Sequence, residues 1–331
     1  MKKSGFAKEI TRGQHNPKVS VITGYYNRAD CVDLTVLSIL DQSYTNIELL
    51  VFDDCSTDGT GERLLELQAR LNDPRLKIIR HSANKGFTVG MIEAIAQSAG
   101  EYICIQGSGD FSAPNRVALQ AQVLDSNAQV GVVGCWYTNV VETSGRRRHR
   151  KPIADNIGLN ELMRANIFSH GEVMMRRATY EAAGGYRREF KFCQDIDLWL
   201  RAAKHCKFHT VREFLYERHV RFDGVSYHPE KFPIQARYSI IARRLAQLSG
   251  ADLEEALSSL AHSGPESLVA SDDQGLQRLI LRAALRSLIF GAPKEAELLA
   301  AKLSKRVVRS PVIAASRALR KTRLMAKPRS G

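Results

Sequence analysis

The sequence predicts an α/β protein with a mostly parallel sheet flanked by helices, followed by a helical C-terminal region. Over the first two thirds of the 331 residues, short β-rich runs alternate with stretches of helical periodicity. Such alternation is typical of βαβ units and a parallel sheet. After about residue 232, only helical periodicity remains. A chain of this length suggests about two domains.

Four predicted strands are each followed by a predicted helix. The strands are 19–23, 47–52, 76–79 and 102–105. The helices are about 29–41, 59–71, 88–98 and 114–126. Ligands of open α/β sheets bind beyond the carboxyl ends of the strands. We therefore expect the loops 23–28, 53–58 and 106–112 to share one edge of the sheet.

The chain divides into three predicted regions. These are a basic N-terminal extension at 1–16, an α/β domain at 17–230 and a helical region with a basic tail at 231–331. The helical periodicity of the last region falls at 234–249, 251–262, 275–290 and 293–309. A basic run at 146–151 is predicted to be a loop within the α/β domain.

The composition is typical of a soluble protein, with 44% hydrophobic and 25% charged residues. Six cysteines are scattered singly, without the paired spacing of a zinc site, and this favours reduced thiols over disulfides. No apolar run has the length that a signal peptide or a membrane span needs. We therefore expect a cytoplasmic protein.

The net charge of +13 is concentrated near the C-terminus, since residues 301–331 hold ten lysines and arginines and no acid. Apolar residues lie between these cations. Two interpretations are open, an amphipathic helix on the anionic inner face of a membrane or a solvated helical face. A nucleic-acid partner is not expected, because no recognition motif accompanies the charge.

Two adjacent acids, Asp53 and Asp54, end the second predicted strand. The residues after them have a structural explanation, since Asp58 can cap the next helix and Gly59 can relax the turn. Like charges at a strand exit repel each other unless a ligand or a donor engages them. We therefore interpret Asp54 as a ligand-binding residue.

Six segments resemble, in their order and spacing, the motifs of the family-2 glycosyltransferases, which are inverting enzymes of the GT-A fold. The segments are SVITGYYNR at 20–28, NIELLVFDDCSTDGT at 46–60, NKGFTVG at 84–90, GEYICIQGSGD at 100–110, GGYRREFKFCQDIDLWLR at 184–201 and LYERHVRFDGVS at 215–226. The resemblance covers roughly 17–230. It implies a Rossmann-like nucleotide-diphospho-sugar transferase domain that moves a sugar from a donor, UDP-linked in our prediction, to an acceptor hydroxyl.

The resemblance also implies roles for individual residues. Asp54 matches the acid that binds the base of the donor, and the loop around Tyr25, Tyr26 and Asn27 would form another wall of that pocket. Asp195 matches the catalytic base, which removes the proton from an acceptor hydroxyl as its oxygen attacks the anomeric carbon.

One segment departs from the family pattern. The family carries two aspartates separated by one residue, and the metal they hold bridges the donor diphosphate. Gly107 and Gly109 stand at those positions here, which leaves Asp110. A first interpretation makes Asp110 a metal ligand for Mg²⁺ or Mn²⁺ together with the diphosphate, with help from His170 or His219.

A second interpretation is that cationic side chains replace the metal, with Lys85, Arg218 and the run at 146–151 as candidates. A third is that catalysis is lost, which would leave a nucleotide-sugar-binding or scaffold protein. The base-like Asp195 favours an enzyme. His170 and His219 are acceptor or diphosphate candidates, although lone histidines are often structural. No P-loop or dinucleotide glycine pattern occurs, so no organic cofactor is expected.

The sequence therefore predicts an inverting glycosyltransferase with a glycan or lipid-linked acceptor. The resemblance implies a setting in surface polysaccharide, lipopolysaccharide or glycoconjugate synthesis. The alternatives are the non-catalytic scaffold and a nucleotidyltransferase, which has a related α/β architecture and would release pyrophosphate.

Overall fold

The computed structural model describes residues 16–142, 145–155, 157–220, 228–289, 292–304 and 306–325, with the backbone alone at 306–308 and 320–325. Three of the predicted features lie wholly or partly outside these ranges. They are the N-terminal extension up to residue 15, the end of the 215–226 segment and the last residues of the basic tail.

One nine-stranded sheet is formed by the described residues. Its strands are β1 (Val19–Tyr25), β2 (Ile47–Asp53), β3 (Leu76–Arg80), β4 (Tyr102–Gln106), β5 (Phe111–Ser112), β6 (Val130–Val141), β7 (Arg147–Arg150), β8 (Met174–Arg176) and β9 (Lys207–Val220). The strand order is β3-β2-β1-β4-β8-β6-β9-β5, and β7 pairs with β6. The first four strands in this order pair in parallel, whereas β8 is antiparallel to both of its neighbours.

The helices of the described residues fall into two groups. Those of the α/β part are α1 (Val32–Leu40), α2 (Thr60–Leu71), α3 (Phe87–Ala96), α4 (Arg116–Ser126), α5 (Leu159–Arg164), α6 (Arg177–Ala182) and α7 (Gln194–Ala202). Those of the C-terminal region are α8 (Lys231–Leu245), α9 (Gly250–Ser263), α10 (Gln274–Ile289), α11 (Pro293–Ala301) and α12 (Arg306–Met325). Short 3₁₀ turns lie at Ala29–Cys31, His170–Glu172 and Pro265–Ser267.

The parallel half of the sheet confirms the predicted fold class. Every residue of β1 and β2 is buried, which is why both strands appear in the sequence as nearly continuous apolar runs. Tyr25 at the end of β1 is level with Asp53 of β2, and Thr23 is level with Gln106 of β4. The loops after these three strands therefore meet at one edge, which we call the carboxyl edge of the sheet.

Phe52 fixes the position of α3 against the sheet. Its ring is 1% exposed and lies where β1 and α3 each carry a glycine. A Cβ atom at Gly24 would lie 2.1 Å from this ring, and one at Gly90 would lie 2.3 Å from it. Both glycines are therefore required by the ring that fills the space between strand and helix.

The C-terminal helices share the hydrophobic core of the sheet. One continuous cluster of buried side chains contains Ile22 of β1 and Trp199 of α7 together with Ile241 of α8, Leu276 of α10 and Leu299 of α11. Helices that lie on the sheet in this way bury apolar area in common with it. The helical region is thus packed onto the α/β part, and its first helix, α8, begins at Lys231.

The apolar side of α12 is used in packing. Val312 and Ser316 are buried, and Ile313 packs against the shared core. Next to this side, Arg317 donates a hydrogen bond to Glu297 of α11 at 2.7 Å. The basic helix therefore lies against its neighbour through its apolar residues.

Within the described ranges, none of the helices combines the length and the apolar character that crossing a membrane requires. All six cysteines fall in these ranges and are unpaired, as the sequence predicts.

The basic run at 146–151 is not wholly a loop, which corrects the sequence prediction. Residues 147–150 form β7 and pair with β6 in antiparallel register, Thr138 facing His149. Arg147 is paired with Glu217, and the ammonium of Lys151 lies 4.8 Å from the ring centre of Trp136. All four residues of β7 are exposed, which explains how so basic a segment can join the sheet through its backbone.

Glu172 is a fully buried carboxyl in the 3₁₀ turn that leads into β8. Its Oε1 accepts a hydrogen bond from the backbone N–H of Ser169 at 2.8 Å, and Oε2 has no partner among the described residues. Burial raises the pKa of Glu172 to about 8, against smaller opposing effects that include the charges of Arg116 and Arg218. The carboxyl is therefore protonated over much of the neutral range.

We predict that Gly90→Ala destabilises the protein. At an ordinary helix position this change would stabilise by roughly 0.5–1 kcal/mol. Here the added methyl overlaps the Phe52 ring, and overpacking of a core costs about 1–3 kcal/mol. Urea unfolding of the wild type and the variant measures the difference. Adding Phe52→Leu should restore part of the loss, and a Gly90→Ala protein as stable as the wild type would contradict the packing described here.

We predict that Glu172→Gln gains stability relative to the wild type as pH rises. The folded state holds the proton of Glu172 more tightly than the unfolded chain, in which the pKa has its ordinary value of 4.5. The wild type therefore loses up to about 1.4 kcal/mol of stability per pH unit between those two pKa values, and glutamine loses none. Denaturant unfolding from pH 5 to pH 9 tests this, and a stability difference that does not change with pH would contradict it.

Candidate functional site

Two loops at the carboxyl edge are joined by hydrogen bonds. The Oδ1 of Asn27, after β1, accepts a bond from the backbone N–H of Thr57, after β2, at 2.8 Å. The N–H of Asn27 donates to Ser56 Oγ at 2.9 Å, and the N–H of Arg28 donates to Thr60 Oγ1 at 2.8 Å. The polar residues of the 53–60 segment thus hold the 24–28 loop in place, and Asn27 can adopt its positive φ of 53° there.

The two tyrosines of this loop have different positions. Tyr25 is 1% exposed and lies in a core cluster with Val21 and Val36, whereas Tyr26 is 52% exposed. The structure therefore corrects the expectation that Tyr25 lines a donor pocket, because its ring points into the core. Tyr26 is the aromatic ring of the loop that a ligand can reach.

Asp54 is buried and is engaged by three donors. Its Oδ1 lies 2.9 Å from Nδ1 of His81 and accepts a bond from the N–H of Lys85 at 2.8 Å. Its Oδ2 accepts a bond from the N–H of Gly86 at 2.8 Å. Asp54 therefore fixes the 82–86 loop beside the end of β2, which places that loop at the carboxyl edge.

Lys85 takes part in this arrangement through its backbone. Its ammonium is bound to both carboxylate oxygens of Glu93 on α3, at 2.8 and 3.0 Å. The side chain is 39% exposed. Its charge is therefore already balanced by a neighbouring carboxylate, which weakens the case for Lys85 as the cation that replaces a metal.

Asp110 is held by strand β9. Its Oδ2 accepts a bond from the hydroxyl of Tyr216 at 2.5 Å, and its Oδ1 accepts one from the backbone N–H of His219 at 2.8 Å. Burial raises the pKa of Asp110, and these two hydrogen bonds and the charge of Arg218 oppose that effect. The carboxylate of Asp110 thus joins the loop that follows β4 to strand β9.

The residues of the 107–110 loop do not fit the metal centre that the family pattern implies. A Cβ atom at Gly107 would lie 2.2 Å from Oδ2 of Asp110, so a side chain cannot stand there without displacing that carboxylate. Both oxygens of Asp110 already accept bonds from β9. Elsewhere in the described part of the chain, His, Cys, Asp and Glu side chains form no group of three that could hold a metal ion.

The 3₁₀ turn at 170–172 connects this loop to α7. A Cβ atom at Gly171 would lie 2.0 Å from the hydroxyl of Tyr216 and 3.2 Å from the backbone N of Gly107, so the three residues are in close contact. The adjacent His170 has its Nε2 at 2.6 Å from the hydroxyl of Tyr186. Burial lowers the pKa of His170, and the negative charge of Asp195 opposes this.

Asp195 lies in the first turn of α7, and Asp197 follows two residues later in the same turn. The half-buried Asp195 accepts a single bond in the described residues, from Nδ2 of Asn166 at 2.9 Å. Asp197 is buried and bonded to Arg187 at 2.9 Å and to Arg201 at 2.5 Å. The two acids of the helix therefore differ, because Asp197 is committed to ion pairs and Asp195 retains lone pairs for a ligand.

Arg218 and His219 lie near the end of β9, and both are half-buried. His219 contacts the 107–110 loop through its backbone N–H. The positive charge of Arg218 acts on both Asp110 and Glu172. The structure thus brings the end of β9 to the same edge as the loops after β1, β2 and β4.

Sequence reasoning missed three residues of this edge. They are Arg28, His81 and Tyr216. His81 follows β3 and Tyr216 lies within β9, and their partners Asp54 and Asp110 are 27 and 106 residues away. The sequence offered one indication of these residues. Asp54 and Asp110 follow predicted strands, and buried carboxylates at such positions need hydrogen-bond donors.

Comparison with known sequences identifies the family. The Glycosyl transferase family 2 domain matches residues 20–184. Bacillus subtilis (strain 168) EpsE, which is named as a glycosyltransferase, is 34% identical over 219 residues, covering 65% of this chain and 77% of EpsE. TuaG of the same organism, named for teichuronic acid biosynthesis, is 38% identical over 94 residues, covering 28% of this chain and 36% of TuaG.

Solved structures show the same fold. Staphylococcus aureus TarS 1–349 in complex with UDP superposes with a TM-score of 0.56 and 19% identity, covering 94% of this chain and 92% of TarS. The mannosyltransferase PcManGT from Pyrobaculum calidifontis, in complex with GDP-Man and Mn²⁺, gives 0.56 and 20%, covering 95% and 88%. The likeness to EpsE and the domain match show that this chain belongs to glycosyl transferase family 2 and is a glycosyltransferase of the GT-A fold.

Proposed function

We propose that this protein transfers a sugar from a nucleoside diphosphate donor, UDP-linked, to an acceptor hydroxyl with inversion at the anomeric carbon. The observation that carries the proposal is the joining of two half-sites. The loops after β1, β2 and β4 form one half, and Asp195 of α7 with His170 forms the other. Gly171 links the halves through its contact with Gly107 and Tyr216.

The donor half has the parts that a nucleotide needs. Tyr26 offers an exposed ring for stacking on a base, and the carboxylate of Asp54 lies at the end of β2 with its loop fixed. Ligands of open α/β sheets bind at this edge. The base is recognised, in this proposal, between the 24–28 loop and Asp54.

The acceptor half supplies the base for the reaction. The carboxylate of Asp195 takes the proton of the acceptor hydroxyl as that oxygen forms a bond to the anomeric carbon. The bond between that carbon and the donor phosphate breaks at the same time, and the nucleoside diphosphate leaves with the electron pair. One carboxylate is sufficient for such a direct inversion. Asn166 holds Asp195 in position for this step.

The proposed setting is the assembly of a cell-surface glycan, with a glycan or lipid-linked acceptor. It is supported by the family and by the name of TuaG, which refers to teichuronic acid biosynthesis. Association of the basic C-terminal tail with an anionic membrane surface on the cytoplasmic side would bring the enzyme to such an acceptor.

We predict that Asp195→Asn lowers turnover by about 100-fold or more, because general-base catalysis contributes about 10²–10⁴-fold. Donor binding should remain within about twofold, because Asp195 is proposed to act on the acceptor hydroxyl in the transition state and not on the bound donor. One assay measures the transfer of sugar to an extract that contains the acceptor. A separate calorimetric titration measures the binding of UDP.

Asp197→Asn is the matched control on the same helix. It removes a buried carboxylate from Arg187 and Arg201, so it should destabilise the fold by about 3–5 kcal/mol. Unfolding measurements on both variants separate the roles. An Asp195→Asn enzyme that keeps wild-type turnover would remove Asp195 from the mechanism.

We predict that Asp54→Asn loosens the 82–86 loop and weakens UDP binding. The amide keeps one acceptor oxygen and loses the other, so at least one of the bonds from His81, Lys85 and Gly86 is lost. A hydrogen bond to a charged group is worth about 1.5–3 kcal/mol. Native-state hydrogen exchange should show faster exchange at the amides of Lys85 and Gly86. The exposed Asp272→Asn serves as a control, and unchanged protection of the two amides would contradict the assignment.

A further inference from the structure

The guanidinium of Arg28 lies over the backbone of Gly109. A Cβ atom at Gly109 would lie 2.2 Å from Nη2 of Arg28 and 3.1 Å from its Cζ. Gly109 also has a φ of +86°, which side chains with a Cβ rarely adopt. The space that a side chain at position 109 would fill is therefore taken by a cation that reaches across from the loop after β1.

The same loop excludes a carboxylate at its other glycine. The Asp110 carboxylate occupies the space beside Gly107, and β9 holds that carboxylate through Tyr216 and His219. The two positions at which the family pattern places acids are therefore both closed, one by an anion and the other by a cation. The loop therefore carries a positive charge beside Gly109, where the family pattern places an acid.

The charge of Arg28 is only loosely compensated. Its Nη2 lies 3.5 Å from Oε1 of Glu142, at the limit of a hydrogen bond, and its Nε lies 3.9 Å from Oδ1 of Asp30. The Nε atom is buried and has no hydrogen-bond partner within the described residues. The side chain is 18% exposed. The guanidinium thus combines a fixed position with donors that remain available.

We propose that Arg28 supplies the positive charge that binds and neutralises the donor diphosphate, so that this protein binds its donor without a divalent metal. The proposal rests on the proposed function, because it concerns the same donor site. It assigns the role of the metal to a residue of the β1 loop, whereas the charges of Lys85, Arg147 and Lys151 are engaged with Glu93, Glu217 and Trp136 respectively.

Guanidinium chemistry suits this role. The group stays charged at every physiological pH, and its planar set of donors matches two oxygens of a phosphate. The charge that develops on the leaving diphosphate is stabilised most by donors that are already in place. The backbone N–H of Arg28 is bonded to Thr60, and the guanidinium already lies against Gly109, so little rearrangement is needed when the donor arrives.

The test is calorimetric binding of three probes, UDP, GDP and uridine, each in EDTA and each with saturating Mn²⁺ or Mg²⁺. We expect at least one diphosphate to bind in EDTA with an affinity within about twofold of that with metal, a difference of under about 0.5 kcal/mol. The diphosphate should also bind more tightly than the nucleoside in EDTA.

Substitutions of Arg28 then test whether its positive charge binds the diphosphate. Arg28→Met should lower the affinity for UDP at least tenfold and leave the affinity for uridine within about twofold, since the nucleoside carries no phosphate. Arg28→Lys keeps the charge and should lose less, and it covers the case in which Arg28→Met folds poorly. Arg63→Met, which removes an arginine paired with Asp33 on the surface, is the matched control and should bind UDP like the wild type.

Other results would overturn the proposal. If UDP bound only with Mn²⁺ or Mg²⁺ and Asp110→Asn abolished this binding, the loop would be a reduced metal site. If Arg28→Met weakened UDP and uridine equally, Arg28 would contact the nucleoside and not the diphosphate. If none of the three probes bound under any condition, the donor site of the proposed function would itself be wrong, and this proposal with it.

Discussion

The carboxyl edge of the sheet depends on one buried interaction. The carboxylate of Asp110 accepts two hydrogen bonds from residues of β9. A carboxylate that is removed from water must be met by donors, and the Tyr216 hydroxyl and the His219 N–H are those donors. The same hydroxyl accepts a bond from the N–H of Gly107 at 3.0 Å. One tyrosine thus joins the end of β4, the strand β9 and the turn that begins at His170.

This interaction sets the spacing between the two halves of the site. Gly171 can approach Gly107 and Tyr216 only because it has no side chain, and it carries His170 with it. His170 in turn lies against Tyr186 and under the influence of Asp195. The distance from the loops after β1, β2 and β4 to Asp195 on α7 therefore follows from how closely backbone segments pack around a single hydroxyl.

The periodicity of the sequence was sufficient for the fold and insufficient for the site. Strands β1, β2 and β4 are buried on both faces, so the apolar runs of β1 and β2 are unambiguous in the sequence. Segment 147–150 is predicted as part of a loop because its basic side chains lack the apolar pattern of a strand. It pairs with β6 through its backbone all the same. Tyr25 and Tyr26 are adjacent and chemically identical, and only the register of β1 decides which ring faces the core.

The residues that balance charge in the site lie beyond the range of local patterns. Arg28 and Gly109 are in contact although they are 81 residues apart in the chain. No local sequence pattern near either residue indicates this contact. The glycines at 107 and 109 could be recognised as a departure from the family, but the sequence could not say what fills the space. Only the packing of three loops shows that an anion fills one position and a cation fills the other.

The C-terminal helices constrain how the enzyme could meet a membrane-bound acceptor. A helix binds a bilayer by insertion only when its apolar side is free, and Val312 and Ile313 of α12 are already packed against the shared core. The cations of the tail remain as the means of association, and charges held at a surface are screened by salt within about 8–10 Å. Contact with an anionic surface through this tail would therefore be electrostatic, reversible and sensitive to ionic strength.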